Sequence, residues 1–289
     1  MGKAKQLIDP YDQMNRDHQT IKSAVKEHWE AEPCEVRAGK SKGDSRRFFQ
    51  EIDDYRYGKN PFIASFAKFE AARNLRVLEI GLGSASDFIR WARNGAELWG
   101  RDLTQASVEL TRERLVLEGL NANVATGDAE ALDLPSDYFD VVYSYGVLHH
   151  TPNTPQAIHE VYRVTKPGGT ARVMIYNARG LVFFYEWLVL CLVQRKLFRS
   201  IREAVFYHNE SLGTKLYTTK QARKLFSQFR SVQIRTVVTH GDALDWDLSD
   251  RYRRVGLVRM LKNLSRPMKY LRPLIPSALG AFMLIEATK

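Results

Sequence analysis

Arg76-Val77-Leu78-Glu79-Ile80-Gly81-Leu82-Gly83-Ser84-Ala85-Ser86-Asp87 is the stretch on which the fold turns. Its first five residues read as a buried strand, the glycines as a tight turn, and about Ala85 to Asn94 as a helix. Glycine lets the chain turn sharply and lets a ligand approach the peptide plane. The start of the following helix offers partly positive N–H groups to an anion. Taken alone, such a turn is weak evidence, since it also serves as a tight strand–helix connection. A dinucleotide fingerprint wants a third glycine at position 86, where Ser86 stands. Glu79, two residues before the first glycine, is a poor neighbour for a pyrophosphate. Nicotinamide-dinucleotide binding loses on both counts, whereas Glu79 suits an ammonium group or a bound water.

Outward from this stretch the alternation repeats. Ala96–Gly100 reads as a second strand followed by a helix over Ala106–Leu117, and Asn123–Thr126 as a short third strand. Phe139–Ser144 reads as a fourth strand with a helix over Pro155–Val164, and Thr170–Tyr176 as a fifth after the turn Pro167-Gly168-Gly169. This spacing predicts βαβ units, hence an α/β fold whose parallel sheet is covered by helices on both faces. Ligands in such sheets sit beyond the carboxyl ends of the strands. Asp102 ends the second strand, 21 residues after Gly81, where an acid accepts hydrogen bonds from ribose hydroxyls or caps the next helix. Asp128, in Gly127-Asp128-Ala129-Glu130, follows the third strand and either receives an adenine amine or serves the turn.

Three acids at successive strand ends make a nucleoside-shaped site with room for an ammonium group. In this the chain resembles the class I S-adenosylmethionine-dependent methyltransferases, from about Arg76 to Asn177. The family's acid-x-Gly-x-Gly-x-Gly motif appears as Glu79, Gly81 and Gly83, with Ala85 in place of the last glycine. Asp102, Asp128 and the turn Lys166-Pro167-Gly168-Gly169 complete the match. The resemblance implies a Rossmann-like seven-stranded, mostly parallel sheet. Its last two strands would be Ser231–Thr239 and Ala281–Ala287, the latter antiparallel. It implies S-adenosyl-L-methionine as cofactor, held by Glu79, Gly81, Leu82, Gly83, Ala85, Asp102, Leu103, Gly127, Asp128, Ala129, Tyr145 and Gly146. Residues 1–69 would form a helical cap, 70–177 the cofactor-binding core, and 178–289 a lid and the closing strands.

Tyr145-Gly146-Val147-Leu148-His149-His150-Thr151, after the fourth strand, looks like the branch that methylates small molecules such as quinones, sterols and secondary metabolites. In-line methyl transfer needs a nucleophile held about 3–3.5 Å from the methyl carbon, and a histidine is the natural base if the acceptor carries a proton. His150 is the first candidate, then His149, with His208 behind them; all three also suit roles in shaping a pocket. Tyr57 or Tyr145 could face the sulfonium through its ring. Leu181–Val193, rich in Phe183, Phe184 and Trp187, is expected to be an apolar lid shared with Tyr57 and Tyr207, or else a core helix. A lid of this kind implies a bulky or lipophilic small-molecule acceptor.

At 289 residues the chain is one large domain or a domain with insertions, and 11% aromatic residues argue for a real core. A net charge of +10 favours anionic partners. Arg251–Arg272 carries eight Lys or Arg and no acid, with Val255, Val258, Leu261 and Leu264 at helical spacing, which fits peripheral contact with an anionic membrane, phosphate binding or simple solvation. A nucleic-acid methyltransferase is disfavoured: Ser144-Tyr145-Gly146 replaces the Asn/Asp-Pro-Pro-aromatic tetrad used on base amines, and no cysteine stands there for attack on a pyrimidine. A non-catalytic protein that merely holds the cofactor is disfavoured by the intact strand-end acids. No cluster has metal-ligand spacing. Two cysteines, Cys34 and Cys191, no signal-type apolar start, and Gln6 where myristoylation wants Ser or Thr predict a soluble cytoplasmic protein.

Overall fold

A computed structural model describes residue 11 and residues 17–194, 200–243, 270 and 272–289. Its sheet has seven strands: β1 (Arg76–Ile80), β2 (Glu97–Asp102), β3 (Asn123–Thr126), β4 (Phe139–Tyr145), β5 (Thr165–Tyr176), β6 (Ser231–Val237) and β7 (Phe282–Thr288). They lie in the order β3-β2-β1-β4-β5-β7-β6. β1 to β5 pair in parallel, and β7 runs antiparallel to both of its neighbours. The Rossmann-like arrangement expected from the sequence, with its antiparallel final strand, is the one observed. The order reverses between β1 and β4, so a ligand site is expected beyond their carboxyl ends.

Burial on both faces explains why these strands read as apolar runs. Leu78 and Ile80 of β1 join Val142, Val173 and Ile175 in one cluster. Val77 joins Val141, Tyr143 and Met174 in the other. Helices cover both layers: α1 (His18–Ala31), α2 (Ser45–Lys59), α3 (Ile63–Ala67), α4 (Ser86–Arg93), α5 (Gln105–Glu118), α6 (Thr154–Val164), α7 (Leu181–Gln194), α8 (Ile201–His208) and α9 (Thr219–Leu225). Their ends follow local chemistry. Asp17, Asp44, Thr104 and Asn153 each accept a first-turn N–H through the side chain. Gly119 ends α5 in the left-handed conformation. Thr218 and Gln221 cap α9 reciprocally.

Several boundaries differ from the sequence reading. β5 starts at Thr165 rather than Thr170, because its pairing with β4 shifts between Phe139 and Val141. The Lys166-Pro167-Gly168-Gly169 turn is thus a bulge inside the strand, and a Cβ at Gly169 would stand 2.9 Å from two carbonyl oxygens. α9 stops at Leu225, short of the expected Phe229. β6 ends at Val237 and β7 is displaced by one residue. Of Arg251–Arg272, only Tyr270 and Arg272 fall among the described residues, so the expected basic helix lies outside them.

Candidate active site at the carboxyl ends of the sheet

A cavity of about 490 Å³ opens where the strand order reverses. Its floor is built from Glu79–Ser84 after β1, Asp102–Thr104 after β2, Gly127–Ala129 after β3 and Tyr145–Val147 after β4. Lys22, Val25 and Trp29 of α1 and Tyr55, Arg56 and Lys59 of α2 close it on one side; Met174, Tyr176, Phe183 and Phe282 line the other end. All three strand-end acids therefore meet in one chamber.

The turn after β1 is shaped for close approach. Gly81 has φ +83°, and a Cβ there would stand 2.1 Å from Val147. Ala85, the residue in place of the family's last glycine, is fully buried at φ +65°. A left-handed alanine costs roughly 1–2 kcal/mol, yet the turn closes on it. It lies beneath the cavity rather than in its wall.

Glu79 is 3% exposed, and its Oε2 has no hydrogen-bond partner among the described residues. Burial raises its carboxyl well above the ordinary range; Asp87 and Asp102 add to this and Arg56 opposes it. Asp87, beside it, is the opposite case. Burial would raise it, but Arg56 (Nε to Oδ1, 3.0 Å) and the hydroxyls of Tyr143 (2.8 Å) and Tyr57 (2.9 Å) hold it below the usual range. Arg56 also binds Glu35 at 2.9 Å. One buried guanidinium thus serves three carboxylates, which leaves a deficit of positive charge at Glu79. The ammonium group of S-adenosylmethionine fits that deficit.

Asp102 takes four hydrogen bonds. Oδ2 accepts from the amides of Leu82 (2.7 Å) and Gly83 (3.4 Å), and Oδ1 from the amide (2.9 Å) and hydroxyl (2.6 Å) of Thr104. It does not cap α5; it fixes Thr104, which does. Asp128 faces the cavity with Oδ2 at 2.6 Å from Lys22, which also binds Glu130 at 2.6 Å. An adenine amine reaching Asp128 therefore shares it with Lys22 or displaces it.

The candidate base residues separate. His150 lines the cavity, with Nδ1 at 3.1 Å from both Ser211 Oγ and Thr214 Oγ1. His149, the second candidate base, is fully buried outside the lining, its ring 4.0 Å from that of Tyr176. Burial first, and then His150 and Lys215, hold His149 well below the ordinary imidazole range, so it stays neutral. The two residues occupy one 3₁₀ turn, Leu148–His150, which points consecutive side chains in different directions. His208 and Tyr207, on α8, do not line the cavity.

Among the expected lid residues Phe183 reaches the chamber, whereas Phe184 is 43% exposed and Trp187 stacks on it away from the lining. Tyr57 faces Asp87 rather than the cavity, with Arg90 3.6 Å above its ring. Tyr145 does line it, and its buried hydroxyl has no partner among the described residues. Leu82, Gly83, Leu103, Gly127, Ala129 and Gly146 all lie in the lining. The sequence reading missed Lys22, Glu35, Arg56, Tyr176 and Glu210. Lys22, Glu35, Arg56 and Glu210 sit on elements that only tertiary packing brings over the strand ends, whereas Tyr176, which ends β5, and Asp87, inside the glycine stretch, were within reach of it.

Glu79 yields a first prediction. An unfolded glutamate ionises near pH 4.3, whereas the folded protein holds this proton to higher pH. Stability contributed by the group therefore falls as pH rises above the unfolded value. Glu79→Gln removes that slope, so urea unfolding at pH 5 and pH 8 should show the variant gaining on the parent at the higher pH. Docking a cation beside Glu79 should also release up to one proton. Calorimetry in two buffers of different ionisation enthalpy reads that proton, and zero exchange in the parent protein contradicts the assignment.

Residues 78–173 match a family model described as a methyltransferase domain. The chain is 31% identical over 145 residues to the ubiquinone/menaquinone biosynthesis C-methyltransferase of Neisseria meningitidis serogroup C, covering 47% of this chain and 59% of that protein. It is 34% identical over 118 residues to the enzyme of the same name from Bordetella parapertussis, covering 39% and 46%. The chain thus spans only about half the length of the curated relatives it matches. Two solved structures share the fold. One is named as a candidate methyltransferase, from Bacillus halodurans (TM-score 0.52, 16% identity, 78% of this chain and 96% of that one). The other is the [4+2]-cyclase SpnF (TM-score 0.51, 15% identity, 94% of each chain). A cyclase on the same fold shows that topology alone does not fix the reaction. The matched segment, however, is the one that builds the acidic rim of the cavity, and over residues 78–173 the chain is similar to a methyltransferase domain.

Proposed function

We propose that the protein transfers a methyl group from S-adenosylmethionine to a small, largely apolar acceptor. The observation that carries this reading is the unpartnered, buried Glu79 Oε2. It stands in the chamber that holds Asp102 and Asp128 at one end and Tyr176, Phe183 and Phe282 at the other. When bound, the cofactor supplies a methyl group on a cationic sulfur, electrophilic enough to need no further activation. The protein's share is positioning and desolvation. Glu79 would take the ammonium group and Asp102 the ribose, while Asp128 would receive the adenine amine. The aromatic walls exclude water and accept an apolar ring, and Tyr145 lies where its ring can face a cation.

His150, at the aromatic end, would take the proton of an acceptor that carries one. Quinone-ring C-methylation, named for the relatives, fits an acceptor of this shape. Peripheral contact with an anionic membrane through the basic segment Arg251–Arg272 is part of the same proposal, since a lipophilic acceptor resides there. Among the described residues no helix is long and apolar enough to cross a membrane.

Calorimetry with S-adenosylhomocysteine, paired with a methyl-transfer assay on a panel of hydroquinones, phenols and a short RNA, tests the reading. One-to-one binding and methylation of a ring acceptor, insensitive to salt, is the expected result. Absence of binding, or methylation confined to the RNA and lost between 50 and 200 mM salt, as about 10³–10⁵-fold weakening would bring, overturns it.

A further inference from the structure

Glu35 stands where the chain turns into the 3₁₀ segment Val36–Ala38, and its backbone is left-handed, at φ +66°. That conformation suits glycine, so a long side chain found there has a reason outside the local turn. Capping is not the reason, because the Glu35 carboxylate accepts no hydrogen bond from the segment it precedes. It reaches Arg56 instead, Oε2 to Nη1 at 2.9 Å, and both residues line the cavity.

Arg56 holds its two carboxylates unequally. Asp87 takes the Nε side of the guanidinium through both oxygens, at 3.0 and 2.5 Å. Glu35 takes a single bond on Nη1. Burial pushes the Glu35 carboxyl above its ordinary range with Arg56 only partly opposing, while the same guanidinium helps to hold Asp87 below its own. A guanidinium has five N–H donors. Three serve Asp87 and Glu35, which leaves one on each terminal nitrogen. A carboxylate taking the place of Glu35 could engage both terminal nitrogens and so replace one bond by two.

The surroundings of Arg56 say which carboxylate that is. Its guanidinium carbon lies 4.9 Å from the centre of the Tyr145 ring, and its charge is felt at Glu79. It therefore borders the part of the chamber assigned to the cofactor's ammonium group. In an α-amino acid the carboxylate is attached to the carbon that bears the ammonium, so a cation beside that place is its natural partner.

We infer that Glu35 is a built-in competitor for the cofactor's carboxylate: it holds Arg56 until S-adenosylmethionine arrives and then yields it. This rests on the methyl-transfer reading of the same chamber. Arg56 selects the amino-acid end of the cofactor, and Glu35 sets how tightly that end is gripped. Without the exchange, a third carboxylate would crowd one guanidinium. With it, Asp87 stays fixed and Glu35, whose side chain is already 15% exposed, is released to the water of the cavity.

The test is Glu35→Gln, which keeps the shape and removes the charge. Glu35→Gly, which also suits the left-handed backbone, is the second variant. Calorimetry compares S-adenosylhomocysteine with its decarboxylated analogue, which keeps the adenosine and the ammonium group and lacks only the carboxylate. The preference for S-adenosylhomocysteine over the analogue should rise about 10-fold in both variants relative to the parent, the size expected when a charged hydrogen bond no longer has to be exchanged. An unchanged preference overturns the inference. A reduced preference overturns it as well, since Glu35 would then itself help to hold the cofactor. If the parent protein binds neither nucleoside, the S-adenosylmethionine reading falls and the inference with it; if it binds both and the preference does not move in the variants, only the inference falls.

Discussion

His150→Gln should lower kcat by about 10²–10⁴-fold, the usual range for loss of a positioned general base, and leave S-adenosylhomocysteine affinity within about two-fold. The side chain sits at the aromatic end of the chamber, beyond Tyr145–Val147, while the nucleoside acids lie at the other end. Glutamine keeps a hydrogen-bonding group for Ser211 and Thr214 but cannot accept a proton at neutral pH. Single-turnover methyl transfer separates chemistry from binding and release. The contrasting substitution is His149→Gln, a change in a fully buried residue whose two ring nitrogens have no partner among the described residues. Its effect should fall on stability, read by urea unfolding, with little change in the pH dependence of turnover. If His149→Gln alone abolishes turnover while His150→Gln is silent, the assignment of the base is wrong.

The two histidines also show what a sequence discloses and what it hides. Their position after β4 is legible from Val141-Val142-Tyr143-Ser144, because a strand buried on both faces has to be apolar, and the ligand end of such a strand follows from the parallel topology. Which of two consecutive side chains enters the cavity depends on a single 3₁₀ turn, and no residue spacing encodes that. Glu79, Asp102 and Asp128 are legible for the same reason as the fold: each is fixed to the end of its own strand. Lys22, Arg56 and Glu210 are not. They sit on α1, on α2 and after α8, and converge only when those segments dock over the sheet. Arg56 reads in the sequence as one more surface charge among 43 Lys and Arg, and it is in fact the buried partner of Asp87 and Glu35. Tyr57, on the same helix, reads as one of two rings that could face the sulfonium, but its hydroxyl proton is committed to Asp87 or to Ser86 O. A helix seen in isolation does not tell which side of it is buried when both carry aromatic and charged residues.

Asp102→Ala is expected to have the largest effect on the cofactor. Four hydrogen bonds converge on this carboxylate, two from the glycine turn and two from Thr104. Removing it strands buried amide donors at roughly 1–3 kcal/mol each, so a loss of about 3–5 kcal/mol in unfolding free energy should appear in urea denaturation. Cofactor affinity should drop more than about 100-fold. A ribose hydroxyl donating to a carboxylate is worth roughly 1.5–3 kcal/mol, and the turn that carries Glu79's neighbours would loosen as well. The two contributions can be told apart with methylthioadenosine and its 2′,3′-dideoxy analogue. The parent protein should prefer the ribose form by about 10-fold or more, whereas Asp102→Ala, having lost the acceptor, should bind both alike. Equal binding of the two nucleosides by the parent would mean that Asp102 serves the turn alone and that the ribose is held elsewhere. A retained preference in the variant would carry the same meaning. If the preference vanishes only in the variant, one carboxylate both ties the glycine turn to β2 and reads the sugar, and these two tasks cannot be separated by substitution at that position.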